Sequence, residues 1–387
     1  MAASTNPLQK LEGFGQSIWL DFIQRSLLSS GEFRGLIEQD GLSGVTSNPS
    51  IFEKAVATGD YDEQIRTLAR EGRGTAEIGR AIMVRDVQDA ADQLRPLYEA
   101  REGRDGFASL EVSPDLAADT PGTISEARQL WAALDRPNVF IKVPATREGL
   151  PAIRQLISEG INVNVTLLFG LERYREVAEA YIAGLEDRLA QGQPIGRVAS
   201  VASFFLSRID VLLDPRLEQL AQGERDNPEG VRGLKGQVAI ASARVAYRIY
   251  RELFEGKRFQ ALAGEGARPQ RLLWASTGTK NPEYSDVKYV EALIGPNTVN
   301  TLPRETLEAY RDHGNPEHRL ETEVDQAQAV LDRLPELGIN LLDATQQLER
   351  EGVRKFVDSF TGFTTTLDAK RQQSLALSAA RGKGQGG

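Results

Sequence analysis

Apolar and polar positions alternate with a period of two in short runs, then switch to a period near 3.6, and the switch repeats along the first 300 residues. The period-two runs are QSIWLD (16–21), LSGVT (42–46), GFASLEV (106–112), NVFIKV (138–143), INVNVTL (161–167), RVASVAS (197–203), RLLWAS (271–276) and NTVNTL (297–302). Between them lie amphipathic stretches such as SEARQLWAAL, GLPAIRQLISEG, GLERYREVAEAYIAGLEDRL and GQVAIASARVAYRIYRELF. Eight strand–helix alternations predict an α/β protein built as a (β/α)8 TIM barrel over residues 1–303. A doubly wound sheet is the competing arrangement. It would be favoured by a G-x-G-x-x-G turn after the first strand, and the chain has neither that turn nor a P-loop.

The connections are unequal. Residues 47–105 and 204–270 are long enough for more than one helix each. Residues 304–387 read as a helical extension packed on the barrel, in preference to an independent domain. Within them Val353, Phe356, Val357 and Phe360 recur at i, i+3, i+4 and i+7, an apolar stripe that needs a partner. The tail RGKGQGG (381–387) is expected to be disordered.

Strand parity places the polar residues. In INVNVTL, Asn162, Asn164 and Thr166 share one face and Val163 and Val165 the other. In a barrel the valine face meets the helices, so the polar face points into the lumen. By the same alternation Ser109 and Glu111 point inward, as do Phe140 and Lys142. Asp21 closes the first strand, Asn48 lies just past the second, Ser203 closes the sixth and Ser276 the seventh. Each has an ordinary explanation alone: a paired lysine with Glu111 as its partner, a turn or cap aspartate, an asparagine and a threonine satisfying each other. Together they converge on the C-terminal mouth, where barrels of this kind build active sites.

Composition narrows the chemistry. The chain has 387 residues, no cysteine and two histidines, His313 and His318, both in a polar stretch. Thiolate catalysis, disulfides and a histidine-rich metal site are thereby excluded or disfavoured, and acid–base work falls to Asp, Glu, Lys or Tyr. A net charge of −9 argues against a general nucleic-acid binder. No apolar run reaches membrane-spanning length, and MAASTNPLQKLEG has no signal-peptide core, so a soluble cytoplasmic protein is expected. A buried lysine beside carboxylates has two roles open to it. It can hold a phosphate as a point charge, or it can form a Schiff base with a ketone, which requires the free amine and nearby proton donors and acceptors.

The motifs TSNPSIF, SLEVSPDL, FIKVPAT, NVNVTLLF and SFFLSRID resemble those of the transaldolase family, in the family's order. LLWASTGTKNP and GPNTVNTLP resemble its longer bacterial branch, and the likeness covers roughly residues 15–303 with the helical C-terminal region besides. The resemblance implies a class I, metal-free and cofactor-independent transferase of the pentose phosphate pathway, acting on sugar phosphates. It would move a dihydroxyacetone unit from sedoheptulose 7-phosphate to glyceraldehyde 3-phosphate, giving erythrose 4-phosphate and fructose 6-phosphate. Lys142 matches the Schiff-base lysine, Glu111 and Thr166 the pair holding the catalytic water, and Asp21 the acid–base at the C4 hydroxyl. Asn48, Asn164 and Ser203 match positions holding the three-carbon unit. Arg208 and Ser276 match phosphate ligands. The family's second phosphate arginine has no counterpart; Gly278 falls near its place, and Lys280 is the expected substitute, its alternative being an ordinary exposed loop lysine.

Two other functions remain open. Fructose-6-phosphate aldolases share the lysine and aspartate but carry Gln where this chain has Glu111 and Tyr where it has Phe205, so both positions favour transfer. A non-catalytic sugar-phosphate-binding barrel would be expected to lose the lysine or a carboxylate, and this chain keeps all three. Members of the family vary in oligomeric state, so a homo-oligomer is compatible with the resemblance.

Overall fold

The computed structural model describes residues 6–224 and 227–383. Eight parallel strands close into a barrel in sequence order: β1 (Gln16–Leu20), β2 (Leu42–Thr46), β3 (Phe107–Glu111), β4 (Val139–Pro144), β5 (Val163–Leu168), β6 (Ser200–Phe205), β7 (Arg271–Ala275) and β8 (Thr298–Leu302). β8 returns to β1, with Gln16 opposite Thr298 and Leu20 opposite Leu302. This is the (β/α)8 TIM barrel the alternation predicts. Strand ends shift by a few residues. β6 starts at Ser200, three residues later than 197, because β5 offers it no partner before Val163, which pairs with Ser200. It then runs on to Phe205, so Ser203 lies inside the strand and not at its close. β1 and β7 stop one residue early, leaving Asp21 and Ser276 just beyond them.

Both long crossovers are multi-helical. Helices Pro49–Ala57, Asp62–Arg70 and Thr75–Ala100 connect β2 to β3, and Ser207–Gly223, Pro228–Arg232, Val238–Phe254 and Lys257–Gly264 connect β6 to β7. Two apolar layers result from strand parity. Ile141, Val143, Val163 and Val165 face outward into the core shared with the helices. Trp19, Phe107, Phe140, Val201, Leu273 and Val299 face inward and fill the middle of the lumen. Phe107 and Phe140 stack with centroids 4.3 Å apart, and Trp19 lies 6.0 Å from Phe140. Gly44 makes room for the indole: a Cβ there would sit 2.5 Å from its ring carbons. Below this aromatic layer, toward the N-terminal strand ends, is a cavity of about 1010 Å³ lined by residues including Ser17, Asp105 and Arg271. Above it, the lumen turns polar.

After β8, helix Arg304–His313 packs on β8 and on helix Pro7–Lys10, and helix Val324–Glu336 lies against Val238–Phe254. The long helix Leu341–Lys383 crosses the C-terminal side of the barrel. It touches the end of β5, the turn Pro114–Leu116 and helix Ser207–Gly223, and packs most extensively on Pro49–Ala57. Its apolar seam differs from the stripe read in sequence. Phe356 is buried, but Val353, Val357 and Phe360 are only half-buried, and the seam continues through Leu348, Phe363 and Leu367. A helix this long meets several partners in turn, so its buried face drifts around the axis. Residues 381–383 continue this helix and are not a disordered tail; residues 384–387 lie outside the described residues. Among the described residues, no helix is long and apolar enough to cross a membrane.

Candidate active site

Glu111, Lys142 and Asn164 stand opposite one another on β3, β4 and β5. Alternation turns all three inward, one step above the aromatic layer. The Lys142 and Glu111 side chains are 5% and 4% exposed, and Nζ lies 3.2 Å from Oε2. Nζ also donates to the carbonyl of Ser47 at 2.8 Å. The Glu111 contact is a close charge pairing with poor alignment, so both carboxyl oxygens lack a hydrogen-bond partner. The Thr166 hydroxyl, on the neighbouring inward position of β5, is likewise buried and unpartnered. Immediately after it the β5–β6 ladder slips, and Leu167 adopts φ +56°. Such a bulge re-aims a side chain beside a functional mouth.

Asp21 enters from the end of β1. Its Oδ1 accepts from Thr46 Oγ1 at 3.0 Å and, more weakly, from Asn48 Nδ2 at 3.5 Å. Thr46 and Thr301 of β8 are themselves joined hydroxyl to hydroxyl at 2.9 Å. Asn48 is positioned by the Asn-Pro start of helix Pro49–Ala57, where its Oδ1 accepts from the Ile51 N–H at 3.0 Å. Asn164 is held at both ends: Nδ2 donates to Ser109 Oγ at 3.3 Å, and Oδ1 accepts from Ser203 Oγ at 2.7 Å.

Burial pushes the carboxyl of Asp21 above the usual aspartate range. Lys142 opposes this most, followed by hydrogen bonds from Thr46 and Ser276 and the charge of Lys280. Glu111 is likewise raised by burial, with Lys142 opposing. Desolvation thus favours the neutral acids, while the cation and hydroxyls favour the carboxylates.

Arg208, in the first turn of Ser207–Gly223, lies over the Phe205 ring at 5.9 Å, and that ring is 5.3 Å from Phe169. Its Nη1 is buried without a partner. Burial lowers its pKa, and the charge of Glu351 on the long C-terminal helix works the other way. Ser276 has φ +50° and faces Asp21, and Lys280 is exposed in the loop that follows. Gly278 is hemmed in, since a Cβ would lie 3.0 Å from Thr306 Oγ1 and 3.1 Å from Pro303 Cγ. An arginine there would need the loop to move.

The mouth therefore gathers Asp21, Asn48, Glu111, Lys142, Asn164, Thr166, Ser203 and Ser276, with Phe205 at the end of β6 and Arg208 in the helix that follows. Lys280 is set apart by its exposure, although Asp21 feels its charge. Sequence reasoning missed Thr46 and Thr301, although both sit at inward parity, and the Ser47 carbonyl, which carries no side-chain signal. Among the described residues, no cluster of three or more His, Cys, Asp or Glu could hold a metal ion.

A closed parallel barrel with a buried lysine beside a carboxylate at its C-terminal mouth has the arrangement in which barrel enzymes build their active sites. The family model for transaldolase/fructose-6-phosphate aldolase matches residues 18–367. The chain is 50% identical to a transaldolase of Thermobifida fusca over 373 residues, covering 96% of this chain and 99% of that one. It is 48% identical to a transaldolase of Saccharopolyspora erythraea over 376 residues (97% and 100%) and 46% identical to one of Trichodesmium erythraeum over 371 (95% and 98%). The chain belongs to the transaldolase/fructose-6-phosphate aldolase family.

Proposed function

We propose that this chain is a transaldolase that carries a dihydroxyacetone unit between sugar phosphates, with Lys142 as its Schiff-base nucleophile. The observation that carries this reading is Lys142 Nζ, inside the lumen, 3.2 Å from the Glu111 carboxyl. The free amine of Lys142 attacks the C2 ketone of the donor. Glu111 and Thr166, both with unused polar atoms, hold the water that relays protons while the carbinolamine expels hydroxyl as water. Asp21 takes the proton of the C4 hydroxyl and the C3–C4 bond breaks. Its electron pair passes into the imine, leaving an enamine on Lys142 and releasing the first aldehyde.

The enamine then attacks the carbonyl carbon of the acceptor aldehyde, whose oxygen recovers the proton from Asp21. Water returns across the imine to free the product. Asn48, Asn164 and Ser203 hold the hydroxyls of the three-carbon unit, and Phe205 keeps water from the enamine. Arg208, Ser276 and Lys280 receive the phosphate, with Lys280 a point charge where an arginine would bind bidentately. Residues 1–303 supply the catalytic barrel, and the helical region from 304 onward is its docked extension. Acidic composition and the lack of a long apolar run support a cytoplasmic setting, and the pathway follows from the substrates.

Transfer and simple release of dihydroxyacetone are separated by assaying fructose 6-phosphate with and without erythrose 4-phosphate. Turnover that depends on the acceptor is expected. Equal turnover without it would make the chain an aldolase.

The pH profile tests the part played by Asp21. Asp21 works as a base only when ionised, and the Thr46 hydroxyl helps keep it so. Thr46→Val removes that donor, so the carboxyl rises further and the acidic limb of kcat/KM should move to higher pH. A limb that stays in place would show that Thr46 does not tune the base.

A further inference from the structure

Helix Ser207–Gly223 carries Arg208 and Asp210 in its first turn and Asp214 one turn further on, both aspartates buried. Among the described residues, neither carboxylate has an arginine or lysine in hydrogen-bonded contact. Asp210 accepts from the Ala239 N–H at 2.9 Å and from the Tyr289 hydroxyl at 2.8 Å. Asp214 accepts from the Gly236 N–H at 2.8 Å and from the Tyr284 hydroxyl at 2.7 Å. Lys288 closes the cluster by charge: its Nζ sits 3.5 Å from the centre of the Tyr284 ring and 5.6 Å from that of Tyr289. The approach is close enough that a Cβ on Gly236, at φ +67°, would fall 2.2 Å from that Nζ. Burial raises the Asp210 carboxyl to about 6, so the ion is kept here at a cost in stability.

The placement is informative because of what each side of the cluster carries. The two aspartates follow Arg208 on the element leaving β6. The two tyrosines lie in the β7–β8 connection, downstream of Ser276 and Lys280. Two tyrosine–aspartate bonds thus cross-brace the two elements that carry the groups proposed to receive the phosphate. None of the five residues belongs to the row around Lys142.

We infer that Asp210–Tyr289 and Asp214–Tyr284 are positioning residues for the donor's phosphate: they fix the spacing between Arg208 and the Ser276–Lys280 loop, and with it the preference for phosphorylated ketoses. This rests on the phosphate reading given above. The test compares donor kcat/KM for fructose 6-phosphate and for unphosphorylated fructose, at saturating erythrose 4-phosphate, in Tyr284→Phe, Tyr289→Phe and Arg208→Ala. Each tyrosine variant should lower kcat/KM for fructose 6-phosphate roughly tenfold, mainly through KM, and leave fructose within about twofold. Tyr284 is half-buried, so its variant is the less able to disturb folding. Equal losses on both donors, or no change on either, would overturn the inference. If Arg208→Ala also leaves the preference intact, the phosphate site itself is misplaced. If Arg208→Ala removes the preference and the tyrosine variants keep it, only the brace fails.

Discussion

Lys142→Arg should lower transfer by about 10⁴-fold or more, the scale seen when a covalent nucleophile is removed. It should also abolish trapping of a sugar adduct by borohydride. Arginine is the informative replacement because it keeps a cation beside Glu111. Alanine would leave a buried acid unpaired, and loss of activity could then be loss of fold. A guanidinium cannot form the imine, so the arginine variant separates charge from nucleophilicity. If Lys142 serves only as a phosphate point charge, Lys142→Arg should retain most activity and shift KM. Peptide mapping after treatment with fructose 6-phosphate and borohydride provides the second readout. The adduct belongs on the peptide containing Lys142, and an adduct elsewhere would end the proposed mechanism.

Asp21→Asn should lower transfer by about 10²–10⁴-fold, the usual worth of a general base, while imine formation survives. The distinguishing measurement is the size of the trapped adduct. Without a base at the C4 hydroxyl the C3–C4 bond holds, so borohydride should fix the whole six-carbon chain on Lys142 instead of the three-carbon unit. A three-carbon adduct formed at the wild-type rate would show that another group does the deprotonation. The variant should fold at least as stably as its parent, since burial disfavours the ionised Asp21 that asparagine replaces.

How much of this was legible without coordinates follows from the range of each signal. Strand parity is a local property, so it correctly turned Lys142, Glu111 and Asn164 to one face, and register on a closed barrel did the rest. The same parity holds for Thr46 and Thr301, but a threonine in a strand is ordinary and carries no signal of a role. The slip at Leu167 was invisible because it depends on how β5 meets β6, not on the residues of β5 alone. The Ser276 contact with Asp21 was hidden for a similar reason: it depends on a positive φ at a serine, which sequence does not announce. The four half- or fully buried positions read in the C-terminal stripe were apolar for local reasons, whereas the deeper seam through Phe363 and Leu367 is set by distant helices. Gly278 stands near the place of the family's second phosphate arginine, and crowding from Pro303 and Thr306 leaves little room for a side chain there.

The docking of Leu341–Lys383 on Pro49–Ala57 joins segments far apart in order of synthesis; the Ser50–Ser359 bond, at 2.9 Å, spans 309 positions. At ribosomal rates that gap is on the order of tens of seconds. During that interval Phe52, which later meets Phe363 at 6.3 Å between ring centres, has no cover from that side. The nascent chain therefore exposes an apolar face on the helix that Asn48 caps until the late helix arrives.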